Sequence, residues 1–209
     1  IRAIETTHVI ANEVEPVEGF SELVKGIAQS SKRDLSFTIR SVFLEEDHSI
    51  FEKDYLEFRS EESKPMDVGR PFLLIPDHFK EGIVLVHGYM AAPKEVRALA
   101  NHLYNCGYLV YGVRLKGHGT APEDLARTKW QEWYESLNRG YVVTKSYTDK
   151  IIIGGFSTGG GLALMAAGLK KDKIHAVFSI NAPMRLRQFA AKLAPSVASI
   201  NALLQKIKG

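Results

Sequence analysis

Cysteine and long hydrophobic stretches are scarce in this sequence, and each shortage excludes a class of protein. The only cysteine among the 209 residues is Cys106, so no disulfide can form within the chain. No apolar run approaches the ~20 residues that a membrane-spanning helix needs. The chain opens on Ile1-Arg2 without a methionine or a signal-like segment, which suggests a trimmed N-terminus and favours a cytoplasmic protein.

The net charge of +3 is unevenly distributed along the chain. Residues 1–66 carry eight basic and fourteen acidic side chains, whereas residues 67–209 carry nineteen basic and ten acidic ones. A solvated basic face is the simplest explanation of this excess. The alternatives are a basic part that faces the acidic N-terminal region, or contact with an anionic membrane surface. The basic residues are not interleaved with aromatic ones, so we expect no nucleic-acid partner, and the oligomeric state stays open.

From about residue 70 onward, short apolar segments alternate with segments of helical periodicity. The apolar segments, each typical of a buried strand, lie at 72–76, 82–88, 108–115, 150–155 and 175–180. Helices are predicted over 93–107, 129–147 and 160–169. This order predicts an α/β fold with a doubly wound, mostly parallel sheet that is covered on both faces.

The first 66 residues differ from the rest and are predicted to form an N-terminal accessory region, helical or mixed. Segments 34–43 and 49–58 each fit either a helix or a strand. The polar stretch at 59–71 is broken by prolines, which favours a linker. Residues 67–209 are assigned to the core, within which a lid-like segment begins at about residue 187.

One serine stands among glycines at the end of an apolar strand, in the sequence GGFSTGGG from Gly154 to Gly161. Gly155, Ser157 and Gly159 form the pattern G-x-S-x-G, which by itself is common in glycine-rich chains. Here a strand precedes the pattern and a helix follows it, as the sharp strand-to-helix turn of a nucleophile elbow requires. Small residues two positions before and after the serine avoid a clash between strand and helix. We therefore interpret Ser157 as a nucleophile rather than as a linker residue.

A second segment supports this interpretation, because the apolar strand in VLVHGYMAAP (84–93) ends in His87-Gly88. An oxyanion hole needs one backbone N–H from the residue after the nucleophile and another from a loop at the end of an earlier strand. Thr158 and Tyr89 occupy those two positions. His87 is interpreted as structural, fixing the loop by hydrogen bonds rather than taking part in a reaction.

Further motifs lie between these two segments. In chain order they are His87-Gly88-Tyr89, Gly117-His118-Gly119, Pro122-Glu123-Asp124-Leu125, Trp130 with Trp133, and the serine pattern. Over about residues 70–190 the chain resembles the α/β-hydrolase superfamily, in particular its carboxylesterases and monoacylglycerol lipases. The resemblance implies hydrolysis of a small-molecule or lipid-like carboxylic ester, with no metal or organic cofactor. It also places His118 in a loop near the mouth of the site, where we interpret it as a turn histidine without a chemical role.

The residues that would activate Ser157 are harder to find. A serine hydroxyl is a poor nucleophile without an adjacent base, which is itself oriented by a third group. In this superfamily both partners follow the serine, but here only His175 and Asp172 do, and both are expected at the opposite end of the sheet. We therefore expect that the hydrolase domain is incomplete at its C-terminus and that the triad acid and histidine lie beyond Gly209.

Other functions stay open at this point. The same scaffold accommodates thioesters, amides or peptides as substrates, because a fold does not fix its substrate. Outside the enzymes, the alternative is a noncatalytic hydrolase-like binding module, in which Ser157 persists without a complete triad. The acidic N-terminal region would then be a surface for a partner.

Overall fold

The computed structural model describes residues 32–61 and 63–182, with side chains from residue 40 onward. The predicted lid-like segment at about 187–209 lies outside the described residues. The helices are α1 (Lys32–Phe58), α2 (Arg97–Asn105), α3 (Pro122–Arg127), α4 (Trp130–Lys145) and α5 (Thr158–Lys170). The strands are β1 (Phe72–Leu74), β2 (Gly82–Val86), β3 (Leu109–Val113), β4 (Ile151–Phe156) and β5 (Ala176–Ile180). Within these parts of the chain, no helix is both long and apolar enough to cross a lipid bilayer.

The strands form one sheet in the order β1-β3-β2-β4-β5. Neighbouring strands are parallel except β1, which runs antiparallel to β3. This arrangement confirms the predicted α/β fold with a mostly parallel sheet. The carboxyl ends of β2, β3 and β4 are level, because Val86 pairs with Val113 on one side and with Gly155 on the other. The loops that follow these strands therefore meet at one edge, where open α/β sheets bind their ligands.

Alternate residues of the central strand β2 enter separate hydrophobic cores on the two faces of the sheet. Val84 and Val86 pack on the face that α1, α4 and α5 cover. Ile83 and Leu85 pack on the opposite face, with α2. Every residue of β2 is buried, as expected for a central strand of a parallel sheet.

The segments at 34–43 and 49–58, which fit either a helix or a strand by sequence, belong to one continuous helix. No glycine or proline interrupts Lys32–Phe58, so no local signal ends the helix within this span. Phe43 and Phe51 are almost completely inaccessible to solvent. Helix α1 is therefore packed onto the sheet domain in part through these two phenylalanines.

The stretch at 59–71, interpreted from sequence as a linker, is packed at its C-terminal end. Gly69 and Pro71 are both buried, and a 3-10 turn covers Met66–Val68. Close packing here follows from the position of α1, which the sequence did not reveal. The division into an accessory region at 1–66 and a core at 67–209 stays a prediction.

Candidate active site

The carboxyl ends of β2 and β4 bring the two predicted site segments together. Strand β2 ends at Val86 and β4 at Phe156, and their register pairs Val86 with Gly155. The residues just beyond these strand ends are close neighbours. A Cβ atom placed on Gly88 would lie 3.4 Å from the Cβ of Ser157.

Ser157 has a strained backbone conformation at the turn from strand to helix. Its φ of 53° and ψ of −117° lie outside the regions that residues with a Cβ readily adopt. Its N–H donates to the carbonyl of Ile180 in β5 at 2.8 Å, and its own carbonyl accepts from the N–H of Gly161 at 3.1 Å. The sheet therefore holds one backbone group of Ser157 and the helix holds the other.

Two glycines make this turn sterically feasible. A Cβ on Gly155 would lie under 3.0 Å from the backbone of Gly159. A Cβ on Gly159 would in turn lie under 3.0 Å from the carbonyl oxygens of Val86 and His87. Because real Cβ atoms do not approach backbone so closely, only glycine fits at either position. Helix α5 thus begins in direct backbone contact with the ends of β2 and β4.

Thr158 is the first residue of α5, and its backbone N–H has no partner within the helix. The N–H of Gly161 makes the first intrahelical bond, which leaves the N–H groups of residues 158–160 without helical acceptors. The partial positive charge of the helix N-terminus adds to these donors. A negatively charged oxygen next to Ser157 would be stabilised by them.

The loop after β2 is a tight turn. The N–H of Ala91 donates to the carbonyl of Gly88 at 3.3 Å, and Met90 in this turn has a φ of 59°. The ring of Tyr89 packs against Trp133, with centroids 5.7 Å apart. The turn and this aromatic contact hold Tyr89 in place directly after Gly88, whose position borders Ser157.

The imidazole of His87 is buried and engaged at both nitrogens. Nε2 accepts a hydrogen bond from the N–H of Leu115 at 3.2 Å. Nδ1 therefore carries the proton and donates to the carbonyl of Gly88 at 2.8 Å. Burial, followed by the neighbouring His118, lowers the pKa of His87 from 6.5 to about 3. The ring consequently has no free lone pair with which to take a proton from a serine.

His118 lies in an aromatic cluster beside the same loop. It packs edge-on against Trp133 and Tyr89, with ring centroids 5.4 and 5.9 Å away. Its Nδ1 lies 3.0 Å from the carbonyl of Lys116 and so carries the proton. Nε2 is buried without a hydrogen-bond partner among the described residues. Burial lowers the pKa of His118 from 6.5 to about 4, which keeps the ring neutral near pH 7.

The histidine and the carboxylate that follow Ser157, His175 and Asp172, lie far from it. The N–H of His175 donates to the carbonyl of Ile151, the first residue of β4, at 2.8 Å. Asp172 is exposed in the 3-10 turn Lys171–Lys173 that precedes β5. The full length of β4 separates these residues from the serine, so neither reaches its hydroxyl. Within residues 32–61 and 63–182, no three His, Cys, Asp or Glu side chains are arranged to hold a metal ion.

The sequence analysis missed a buried ionic cluster at this edge of the sheet. Arg114, one residue past the end of β3, forms ion pairs with Asp54 of α1 and Asp124 of α3. Arginine and aspartate are rarely buried unless they are paired. A charged residue directly after an apolar strand is therefore the signal that could have revealed the cluster.

The mostly parallel sheet with helices on both faces is the α/β-hydrolase fold. The sequence model of the α/β hydrolase fold family matches residues 82–203, which is more than half of the chain. The chain therefore belongs to this family. The resemblance inferred from its motifs is confirmed.

Known relatives of the chain include lipolytic enzymes. It is 39% identical to the thermostable monoacylglycerol lipase of Bacillus sp. (strain H-257) over 110 residues, which cover 53% of this chain and 44% of that protein. It is 33% identical to the carboxylesterase of Bacillus subtilis (strain 168) over 93 residues, which cover 43% of this chain and 38% of that protein. The matched part of the chain thus spans less than half the length of these curated relatives.

A solved structure shows the same fold. The match comes from work on LipS and LipT, two metagenome-derived lipolytic enzymes, and has a TM-score of 0.61. It covers 70% of this chain and 72% of that chain at 22% sequence identity. At this identity the similarity supports the shared fold alone.

Proposed function

We propose that the protein hydrolyses carboxylic esters through an acyl-enzyme on Ser157. The observation that carries this proposal is the backbone of Ser157, held at a φ of 53° between β4 and α5. Strain of this kind costs about 1–3 kcal/mol and persists only where the surrounding structure enforces it. The two glycines and the two backbone hydrogen bonds enforce it here. The lipase and the carboxylesterase among the relatives support an ester as the substrate.

The proposed reaction has two steps that share one oxyanion site. Oγ of Ser157 attacks the ester carbonyl carbon while a base takes the hydroxyl proton, and the former carbonyl oxygen becomes negatively charged. The carbon–oxygen bond to the alcohol then breaks, and the alcohol leaves with the proton. Water attacks the acyl-enzyme in the same way, which releases the acid and restores the serine hydroxyl.

In this proposal the backbone N–H groups of Thr158 and Tyr89 stabilise the oxyanion. Thr158 contributes a helix N-terminal donor without an intrahelical acceptor. Tyr89 follows Gly88, whose position lies against the Cβ of Ser157. Loss of one donor from such a hole typically lowers kcat by about 10²–10³.

We further propose that the base that activates Ser157 lies outside the residues that the structure describes. Both nitrogens of His87 are engaged. The pKa of His118, lowered by burial to about 4, makes its buried Nε2 a poor proton acceptor near neutral pH. We place the histidine and the acid of the triad C-terminal to the described residues, as the resemblance to the superfamily implies.

The surface around Ser157 favours an apolar acyl group. Met90 is 72% exposed and Phe156 is 46% exposed. The ring of Phe156 borders Gly88, since a Cβ there would lie 3.4 Å from its Cδ1. An acyl chain that covers this apolar surface removes it from water, which favours binding of the substrate. We therefore propose short- to medium-chain acyl esters or monoacylglycerols as substrates.

Labelling of the full-length protein with a fluorophosphonate tests the nucleophile. The hydroxyl oxygen displaces fluoride from phosphorus only if a base activates it. We expect peptide mass spectrometry to place the label on Ser157, and we expect no label in Ser157→Ala or in heat-unfolded protein. The 209-residue chain alone is expected to label weakly, because in this proposal it lacks the base. An unlabelled full-length protein would instead favour a noncatalytic binding module.

A substrate panel identifies the bond that is cleaved. p-Nitrophenyl esters, acyl-CoA thioesters and aminoacyl anilides are compared by kcat/KM with the same enzyme preparation. We expect the esters to be cleaved fastest. A clear preference for a thioester or an anilide would contradict the ester assignment while leaving Ser157 as the nucleophile.

A further inference from the structure

The guanidinium of Arg114 connects three parts of the chain that surround the site. Its Nε donates to the carbonyl of His118 at 2.9 Å. Its Nη1 donates to Asp54 at 2.6 Å, and its Nη2 donates to Asp124 at 3.4 Å. All three side chains are at most 9% exposed. Because the guanidinium is a rigid planar fork, this arrangement fixes the direction of each partner as well as its distance.

Asp54 is the group through which α1 enters this cluster. Besides Arg114, it accepts hydrogen bonds from Nζ of Lys116 at 2.7 and 2.8 Å. Arg114 and Lys116 flank Leu115, at the start of the loop that leads to His118. One carboxylate from the N-terminal helix therefore holds both cations at the base of this loop.

Close packing provides a second contact between α1 and the same loop. A Cβ on Gly69 would lie under 3.0 Å from both the Phe51 ring and the carbonyl oxygen of Gly119. Gly119 has a φ of 75° and lies directly on Gly69. The guanidinium of Arg114 also lies over the Phe51 ring, 5.3 Å from its centroid. The loop is thus supported from α1 by packing as well as by charge.

The rings of His118, Tyr89 and Trp133 extend this contact to the loop after β2. Their centroids are 5.4 to 5.9 Å apart, so each ring touches the other two. Arg114 holds the backbone of His118, and the His118 ring packs on Tyr89. A shift of the His118 backbone would therefore change the packing of Tyr89 as well.

We propose that Asp54 is a positioning residue, which acts through Arg114 and the His118 loop to hold Tyr89 where its backbone N–H meets the oxyanion. This inference rests on the proposed function. A buried ion pair adds little net stability compared with an apolar pair of the same shape, so stability alone does not account for the cluster. The cluster does fix the orientation of the His118 loop. Helix α1 contributes to this from outside the sheet through Asp54.

Asp47 offers a matched control on the same helix. It lies about two turns before Asp54 and pairs with Arg139 and Tyr111 rather than with Arg114 or Lys116. Asp47→Asn and Asp54→Asn each remove one carboxylate charge from α1. The first breaks the ion pair with Arg139 and the second breaks those with Arg114 and Lys116, so both are expected to lower the free energy of unfolding. In the full-length protein, only Asp54→Asn is expected to lower kcat for p-nitrophenyl butyrate, by about ten- to a hundredfold. KM should stay within about twofold, since the change affects the transition state.

The emission of Trp133 reports the position of the loop independently of activity. The 209 residues contain 2 tryptophans, so in the 209-residue chain Trp130→Phe leaves Trp133 as the only tryptophan emitter. Because this ring contacts His118 and Tyr89, a displaced loop changes its emission and its quenching by acrylamide. We expect that change for Asp54→Asn and not for Asp47→Asn.

A folded Asp54→Asn protein with unchanged kcat and unchanged Trp133 emission would overturn the inference, as would an equal loss of kcat in Asp47→Asn. If Asp54→Asn does not fold, Arg114→Lys keeps a cation beside Asp54 but cannot also hold the carbonyl of His118. The same loss of kcat and change of Trp133 emission are then expected, and their absence would overturn the inference. If the wild-type protein cleaves no ester, the proposed function fails. The emission of Trp133 still decides whether Asp54 positions the loop.

Discussion

The backbone N–H of Leu115 donates to Nε2 of His87 across 3.2 Å and so joins the chain beyond β3 to the chain beyond β2. From its other nitrogen, His87 donates to the carbonyl of Gly88. One buried imidazole therefore fixes the starts of two loops, the one that contains Tyr89 and the one that contains His118. This role requires the neutral ring, because a protonated Nε2 would direct a second donor at the Leu115 N–H.

Replacing His87 tests this structural role. His87→Ala leaves the Leu115 N–H and the Gly88 carbonyl without this partner and creates a cavity. We expect the free energy of unfolding to fall by about 2–4 kcal/mol. The control, His78→Ala at an exposed position, should stay within about 0.5 kcal/mol. Urea unfolding followed by circular dichroism measures both, and equal effects would rule out the role of His87.

Stability is expected to fall as the pH decreases below about 6.5. The pKa of His87 is lowered to about 3 and that of His118 to about 4, in both cases chiefly by burial. Between these values and 6.5, the unfolded chain binds protons that the folded chain does not. Each histidine then removes about 1.4 kcal/mol of stability per pH unit, and the loss levels off below its folded pKa.

His118→Phe isolates one of these two titrations. The substitution keeps an aromatic ring against Trp133 and Tyr89 while removing one titrating group. We expect the slope of unfolding free energy against pH, measured between about pH 6 and 4.5, to be about 1.4 kcal/mol per unit shallower than in the wild type. Identical slopes would mean that His118 accepts its proton in the folded protein.

Gly159 and Gly161 form a matched pair in the first turn of α5. A methyl group at Gly159 meets the carbonyl oxygens of Val86 and His87, whereas one at Gly161 meets nothing within 4 Å. Gly159→Ala should cost about 1–3 kcal/mol and slow fluorophosphonate labelling about a hundredfold. Gly161→Ala should label normally and gain up to about 1 kcal/mol of stability. Similar behaviour of the two variants would contradict the packing described for the elbow.

The exposed side chain of Met90 gives a prediction on chain-length preference. If an acyl chain covers this residue, Met90→Ser should raise KM for p-nitrophenyl octanoate by about three- to tenfold through lost apolar contact. KM for the acetate should change little. Leu56→Ser, at a 59% exposed position on α1, serves as the control and should alter neither value. A uniform effect on both esters would show that the octanoyl chain lies elsewhere.

The features of the site that could be predicted from the sequence are those encoded by residues close together along the chain. Gly155, Ser157 and Gly159 lie within five consecutive residues, and the apolar strand before them and the helix after them are read from local periodicity. The level strand ends that bring Gly88 to Ser157 follow from the parallel sheet. The family resemblance and the mostly parallel fold could therefore be predicted before the structure was known.

The parts that the sequence did not predict depend on contacts between distant residues. Asp54 and Arg114 are 60 positions apart. Hydrophobic periodicity predicts helices and strands, but it does not predict which carboxylate pairs with which guanidinium. The segments within α1 fitted helix and strand equally well by pattern. The burial of Phe43 and Phe51 against the sheet domain, which is a tertiary contact, accounts for the long helix.

The direct contact of Gly159 with the carbonyls of Val86 and His87 has a consequence for how such a protein can diversify. The position and direction of the serine side chain are set by strands and a helix rather than by surface loops. Surface loops around Ser157 can then be lengthened, or their side chains exchanged, without moving the serine hydroxyl. Changes in these loops would alter which substrates bind, while Oγ of Ser157 keeps its position relative to the sheet.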